Sequence, residues 1–244
     1  MKLIVLAAGY ATRLYPLTLN RPKALLPVAG KPMLEHVLDA VDPIGFDGTY
    51  LVTNAKFAGH FRKWSAGRDI TVVDDGTHDD ETKLGAIGDL DLVLREEDVD
   101  DDVVVVAGDN LFSESLGDFG AYVRERNAPV LGVYDVGSLE EIRKYNAIDV
   151  DDDGRITFFE EKPEDPSSTL TGIALYFYPS AVLPEIRRYV AEGNNADQPG
   201  RLVQWLYPQT PFYTWRVPGV WYDIGAEDTL READRVFSER AAQR

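Results

Sequence analysis

Arg13 and Lys23 stand ten residues apart, just downstream of an apolar run, Leu3 to Leu6, that ends in Ala7, Ala8 and Gly9. That run is too apolar for a strand with one solvated face, so it reads as a central strand of a sheet. Open α/β sheets bind ligands at the carboxyl ends of such strands, and here a glycine turn delivers two cations to that edge. An arginine offers a planar fork that suits a pyrophosphate, and a lysine offers a point charge that suits a single phosphate. Either alone would be an ordinary solvated loop residue. Neither common nucleotide motif is present: the segment has no G-x-x-x-x-G-K-[ST] loop and no G-x-G-x-x-G turn. Asp109 follows directly on Val103 to Ala107, four valines and an alanine, so it too projects from the carboxyl edge of a buried strand. A carboxylate in that position, next to bound phosphates, is the oxygen donor that a hard ion such as Mg²⁺ takes.

An alternation of helix and strand patterns must hold these residues. The spacing predicts helices over Met33 to Val41, Phe57 to Ser65, Gly85 to Leu94 and Leu139 to Lys144, and strands over Thr49 to Thr53, Ile70 to Val73 and Val130 to Val136. Such alternation argues for an α/β fold, a Rossmann-like doubly wound, mostly parallel (mixed) sheet flanked by helices. The second half changes character. Ala147 to Val150, Arg155 to Glu160 and Gly172 to Tyr178 read as strands, with Asp151 to Gly154 (DDDG) as a hairpin turn. Helices over Pro184 to Val190 and Arg201 to Tyr207, a strand over Phe212 to Val217 and an amphipathic helix over Ala226 to Ala242 complete the pattern. One domain, 1–244, is expected: 1–135 on the nucleotide side, 136–225 on the acceptor side, and 226–244 as a terminal helix.

Composition bounds the function. The 244 residues carry a formal net charge of −17, which repels nucleic acid and anionic membranes and makes a polynucleotide partner unexpected. Phosphates must therefore meet a local positive island. Lysine occurs only eight times, so Lys23 and Lys162 are not drawn from a lysine-rich background. The acidic surplus fits a salt-rich cytoplasm or an arginine-favouring genome. With no cysteine there is no disulfide, no thiolate nucleophile and no cysteine-ligated metal, and His36, His60 and His78 lack metal-ligand spacing. No apolar run reaches membrane-spanning length and no leader precedes the first strand, so a cytoplasmic soluble protein is expected. A homo-oligomer is left open.

Taken in order, Gly9, Thr12, Arg13, Leu14, Pro16, Leu17, Pro22 and Lys23 resemble the signature of the sugar-1-phosphate nucleotidyltransferases, the NDP-sugar pyrophosphorylases, whose fold is the nucleotide-diphospho-sugar transferase type. GDN at Asp109, FEEKP at Phe159 to Pro163 and VWYDIGA around Asp223 follow in the family's order. The resemblance implies Mg²⁺-dependent joining of a nucleoside triphosphate to a sugar-1-phosphate, glucose- or mannose-type, with release of pyrophosphate. It implies that Arg13 and Lys23 bind and activate the triphosphate, with Ala8, Gly9, Thr12, Asp80 and Gly85 around the nucleotide. It further implies that Asp109 and Asp223 hold the metal, and that Asn146, Glu161, Lys162 and Gly172 hold the sugar phosphate. No hexapeptide repeat follows, so a β-helix tail and its acetyltransferase activity are expected to be absent.

Four departures accompany the resemblance. Ala11 stands where the family usually has a second glycine, so the backbone there is expected to be less free to adopt positive φ. Ala226 replaces a threonine and Asn146 a glycine that approaches the sugar. The stretch Asp79 to Glu81 lacks the glutamine that reads thymine or uracil. A carboxylate accepts only, which better matches the donors of guanine or cytosine, and the base stays open. Three other readings remain. A cytidylyltransferase for a phosphorylated alcohol such as phosphocholine would want an aromatic cage, for which Trp205, Tyr207, Trp215, Trp221 and Tyr222 are available. The second is a silent regulatory subunit that binds nucleotide sugars. The third is a glycosyltransferase, whose metal motifs the D-x-D runs at Asp100 to Asp102 and Asp151 to Asp153 resemble, although in so acidic a chain these runs read as turns.

Overall fold

In a computed structural model, which describes residues 1–242, strand and helix alternate as the spacing predicts; the last two residues of the expected terminal segment lie outside the described residues. The first half comprises β1 (Lys2–Leu6), β2 (Pro27–Val28), β3 (Lys31–Pro32), α1 (Met33–Val41), β4 (Thr49–Thr53), α2 (Ala55–Trp64), β5 (Thr71–Asp74), α3 (Ala86–Glu96), β6 (Val103–Ala107), β7 (Asn110–Phe112), α4 (Gly117–Arg126) and β8 (Val130–Asp135). The second half comprises α5 (Leu139–Ile142), β9 (Asn146–Val150), β10 (Ile156–Glu161), β11 (Leu170–Tyr178), α6 (Leu183–Ala191), α7 (Pro199–Leu206), β12 (Tyr213–Arg216), β13 (Trp221–Asp223) and α8 (Glu227–Ala241).

Seven strands form one sheet in the order β12-β8-β11-β6-β1-β4-β5. The pairs β6–β1, β1–β4, β4–β5 and β8–β12 are parallel, while β11 runs antiparallel to both of its neighbours. The fold is therefore the expected mixed, mostly parallel sheet flanked by helices. Strand alternation explains the unbroken valines of β6: Val103 and Val105 enter the apolar cluster on one face, Val104 and Val106 the cluster on the other. A third cluster joins Leu14, Leu26 and Val28 to Leu111, Ile224 and Phe237, which presses α8 onto the loop after β1. Among the described residues no helix is long and apolar enough to cross a membrane.

Five elements appear that the spacing does not announce: the two-residue strands β2 and β3, α4, β7 and β13. Helix α4 carries Gly117 and Gly120, which disfavour a helix by about 1 kcal/mol each against alanine. Packing decides in its favour, because a Cβ at Gly120 would stand 2.7 Å from Ile44 Cγ2 and 3.2 Å from Ile44 Cα. Gly120→Ala is accordingly expected to destabilise the fold by about 1–3 kcal/mol despite its better helix propensity, measurable by chemical denaturation. Unchanged stability would show that Ile44 yields freely. Strands β7 and β13 have three residues each and pair with one another across more than a hundred positions of sequence.

Candidate active site

The carboxyl edges of β1 and β6 lie side by side, with Gly108 donating to the Leu6 carbonyl (2.9 Å). Asn54, fully buried, braces the turn that follows β1: its side-chain nitrogen donates to the Ala8 carbonyl (2.7 Å) while its oxygen caps α2 at the Phe57 amide (3.1 Å). Ala11 then adopts φ 49°, the left-handed region. The expectation that alanine would resist this conformation is corrected: the Ala11 carbonyl accepts from the Thr18 hydroxyl (2.8 Å) and the Leu14 amide (3.0 Å), and these bonds hold the turn. Left-handed alanine costs about 1–2 kcal/mol, and glycine loses roughly 0.4–1 kcal/mol through its freer unfolded chain. Ala11→Gly is therefore expected to leave the thermal midpoint equal or raise it slightly, and a clear drop would mean that the turn is unstrained.

A short helical turn, Thr12 to Leu14, follows and presents Arg13 to solvent, with no ion-pair partner among the described residues. A second turn, Lys23 to Leu25, presents Lys23, whose ammonium contacts Asp109 Oδ2; both side chains are largely sheltered. Arg13, Lys23 and Asp109 line one cavity of about 230 Å³ together with Gly9, Ala11 and Gly108. Ala8 is buried behind it and Thr12 is exposed beside it; nothing crowds a Cβ at Gly9. A larger cavity of about 460 Å³ lies between α1, β7 and α8. Its cations are already paired, Lys31 with Asp39 and Arg240 with Glu114, so it does not present free charge to a phosphate.

The β7–β13 pairing sets Asp223 opposite Asn110 and therefore beside Asp109. Burial lifts the Asp223 carboxyl above its ordinary range and the Asp109 carboxylate lifts it further, while Lys23 and Arg13 pull it back. Four groups from three remote segments thus act on one another. Asn110 donates to Asp109 (3.2 Å) and accepts from the Trp221 indole (2.8 Å), so a single buried amide links the two acidic strands. Trp221 escapes the sequence reading as a brace, since nothing local signals a partner at Asn110. Ala226, which replaces the family threonine, leaves the start of α8 without a side-chain acceptor. Thr229 supplies it instead, accepting from the Ala226 amide (3.2 Å) and donating to its carbonyl (2.8 Å).

The acceptor-side candidates gather at β9, β10 and β11. Asn146 is engaged with the backbone of Gly172: its Oδ1 accepts from the Gly172 amide (2.6 Å) and its Nδ2 donates to the Gly172 carbonyl (3.1 Å). A Cβ at Gly172 would meet Leu131 Cδ2 at 2.6 Å and Asn146 Oδ1 at 3.1 Å, so any larger residue would push these side chains aside. Glu161, at the end of β10, has a buried Oε2 with no hydrogen-bond partner, and burial raises its carboxyl against the pull of Lys162 and Arg201. An orphaned buried oxygen of this kind asks for a partner that the chain does not provide. Lys162 holds φ 51°, with its amide donating to the Tyr145 carbonyl (2.8 Å). Non-glycine residues held there carry strain of about 1–3 kcal/mol and cluster at functional sites. Tyr145 in turn packs on Trp221 with ring centroids 5.7 Å apart, which joins this group to Asp223.

On the base side, Asp79 is occupied by its own turn, accepting from the Glu81 and Thr82 amides (3.1 and 2.9 Å). Asp80 is exposed and shares Lys83 with Asp197 (3.3 and 3.0 Å). Gly85 adopts φ 79°, and a Cβ there would lie 2.6 Å from the Ala196 carbonyl oxygen. Of the aromatic residues offered for a cage, Trp205 packs on Tyr189, Trp215 on Phe119 and Trp221 on Tyr134 and Tyr145, so these three do not converge. Among the described residues no group of three or more histidine or carboxylate side chains is poised for a metal.

The family model described as nucleotidyl transferase matches residues 2–240. A UTP–glucose-1-phosphate uridylyltransferase, AglF of Haloferax volcanii, is 29% identical over 100% of this chain and 99% of its own. A glucose-1-phosphate thymidylyltransferase of Streptomyces antibioticus is 26% identical over 98% of this chain and 67% of its own. The bifunctional protein GlmU of Methanocaldococcus jannaschii is 27% identical over 98% of this chain, which spans 55% of that protein's length. The crystal structure of a UDP-glucose pyrophosphorylase complexed with UDP-glucose superposes with a TM-score of 0.81 at 20% identity, covering 98% of both chains, which is a likeness of fold.

Proposed function

This chain belongs to the nucleotidyl transferase family, and from that premise we propose that it joins a nucleoside triphosphate to a sugar-1-phosphate of glucose or mannose type. An oxygen of the sugar phosphate attacks the α-phosphorus, the bond to the β-phosphate oxygen breaks, and pyrophosphate leaves. The observation that carries the reading is the convergence of Arg13, Lys23, Asp109 and Asp223 at the carboxyl edge of β1 and β6 in a strongly acidic protein. Names of the full-length and partial relatives, uridylyl- and thymidylyltransferases of glucose-1-phosphate, support the same reaction class.

In this reading Arg13 takes the leaving pyrophosphate with its fork and Lys23 neutralises charge at the α-phosphate, so the protein contributes positioning and preorganised charge without a covalent intermediate. Ala8, Gly9 and Thr12 form the near wall, and Asp80 and Gly85 border the base. Glu161 receives sugar hydroxyls, Lys162 meets the sugar's phosphate, and Asn146 fixes the Gly172 backbone at the acceptor. Residues 1–135 thus serve the nucleotide and 136–225 the acceptor. Asp109 and Asp223 fit Mg²⁺, since two adjacent carboxylates plus substrate phosphate oxygens are the donor set it takes. When bound, the ion would neutralise charge developing on the reacting phosphates.

The test is pyrophosphate release from purified protein with Mg²⁺, five triphosphates in turn, and glucose-1-phosphate or mannose-1-phosphate. Release with at least one pair is expected. No release with any pair overturns the reading, and consumption of a sugar nucleotide without pyrophosphate would instead mark a glycosyltransferase.

A further inference from the structure

Glu161, on the acceptor side, leans on a helix to which the proposed chemistry assigns no role. It ends β10 opposite Asn146 on β9, and residues two apart on a strand share a face, so it points the same way as Phe159. Phe159 sits in an apolar cluster with Leu202, Val203 and Leu206 of α7. Glu161 therefore meets the same helix. Its amide donates to Gln204 Oε1 (3.4 Å), and its carboxyl rests on Gly200 in the first turn. Oε2 is shut off from solvent there without a hydrogen-bond partner, and Oε1 is not shut off with it.

The backbone does not ask for glycine at position 200. Gly200 lies within a helix, has no left-handed φ, and is among the weakest helix formers. Space asks for it instead. A Cβ there would stand 2.0 Å from Glu161 Oε2, 3.1 Å from Glu161 Cδ and 3.2 Å from Phe159 Cζ. The first two atoms belong to the free end of a flexible side chain, whereas Leu202, Val203 and Leu206 anchor α7 in the core. An added methyl group would therefore displace the carboxyl before it displaced the helix. We propose that Gly200 is a positioning residue of the acceptor site: the notch it leaves in α7 fixes the Glu161 carboxyl, with Oε2 lodged on the helix and Oε1 left for the sugar.

The groups nearest in the strands do not fix the carboxyl. Asn146, opposite, gives both ends of its amide to Gly172, and Lys162, next in sequence, turns the strand end with its own amide on the Tyr145 carbonyl (2.8 Å). Arg201, beside Gly200, gives its Nε to Gln198 Oε1 (3.0 Å). A buried oxygen without a hydrogen bond is unfavourable, and a glycine Cα offers it only a weak C–H contact. The carboxyl group gains a set orientation in exchange, which is what a group that must receive hydroxyls at one angle needs. The bearing of the notch on the sugar rests on the reading of Glu161 given above; the notch itself does not.

The test is steady-state kinetics of Gly200→Ala with a triphosphate and sugar-1-phosphate pair that turns over. KM for the sugar phosphate is expected to rise roughly ten- to a hundredfold, as when one hydrogen bond to a charged group is lost, while KM for the triphosphate stays within about twofold. In the Glu161→Ala background the same substitution should change neither by more than about twofold, because the group it collides with is gone. An unchanged KM in the single variant, or an equal rise in both backgrounds, overturns the proposal. Gly200→Ala that folds only together with Glu161→Ala would support the collision, and failure to fold in both backgrounds would overturn it. A crystal structure of Gly200→Ala tests the notch without turnover: Glu161 moved off an unmoved α7 is expected, and α7 moved with Glu161 in place refutes it. A wild-type protein that releases no pyrophosphate with any pair sinks the catalytic reading and leaves that structural result standing.

Discussion

Asp223→Asn is expected to abolish pyrophosphate release, by about 10³-fold or more, while raising the thermal midpoint of the protein in the presence of a chelator. The two effects share one cause. Asp223 is buried beside Asp109, and Lys23 and Arg13 offset its desolvation and the Asp109 repulsion only in part. An amide of the same shape removes that repulsion, so a gain of about 1 kcal/mol, or roughly 2–4 °C for a chain of this size, should appear in metal-free buffer. It also removes an oxygen donor to Mg²⁺ and its charge. Calorimetry with and without Mg²⁺ separates the arms: added Mg²⁺ should raise the wild-type midpoint and leave the variant's unchanged. A variant that retains more than a tenth of wild-type turnover would take Asp223 out of the site.

Lys23→Met is expected to lower turnover by about 10²–10³-fold, the usual loss when one preorganised charge is removed from a developing anion. It should also destabilise the fold by about 1–3 kcal/mol, because Asp109 loses its contacting cation while remaining largely sheltered. Lys23→Arg is not expected to restore turnover, since a planar fork does not replace a compact ammonium. Arg13→Ala provides the contrast: Arg13 is exposed and has no ion-pair partner among the described residues, so activity should fall with little change in stability. Steady-state kinetics alongside urea unfolding reads both quantities. Equal stability losses at positions 13 and 23 would contradict the geometry, and unchanged turnover at both would remove them from the chemistry.

These two residues also mark what local pattern conveys. Val103 to Ala107 is apolar at every position, which requires cover on both faces, and the sheet supplies it with β6 between β1 and β11. Asp109 comes two residues after such a strand and Arg13 one turn after β1, so their place at the carboxyl edge was readable from order. Helix α1 was legible to the residue because its apolar spacing and the following Pro43 agree. Helix α4 was not, because its two glycines argue against a helix and the contact with Ile44 that explains Gly120 comes from a distant segment.

By itself the sequence determined the α/β class, the two central strands and the identity of the charged groups, because each follows from residue type and short-range periodicity. Only the tertiary structure decided that Asp223 meets Asp109, since β7 and β13 are too short to carry a periodic signal and acquire meaning by pairing across the chain. It likewise decided that Asn146 is turned to the Gly172 backbone and that Ala11 accepts a left-handed turn. For Asp223 and Asn146 the deciding quantity is a distance between segments far apart in sequence, which no local pattern encodes, whereas the Ala11 turn is held by bonds within its own loop.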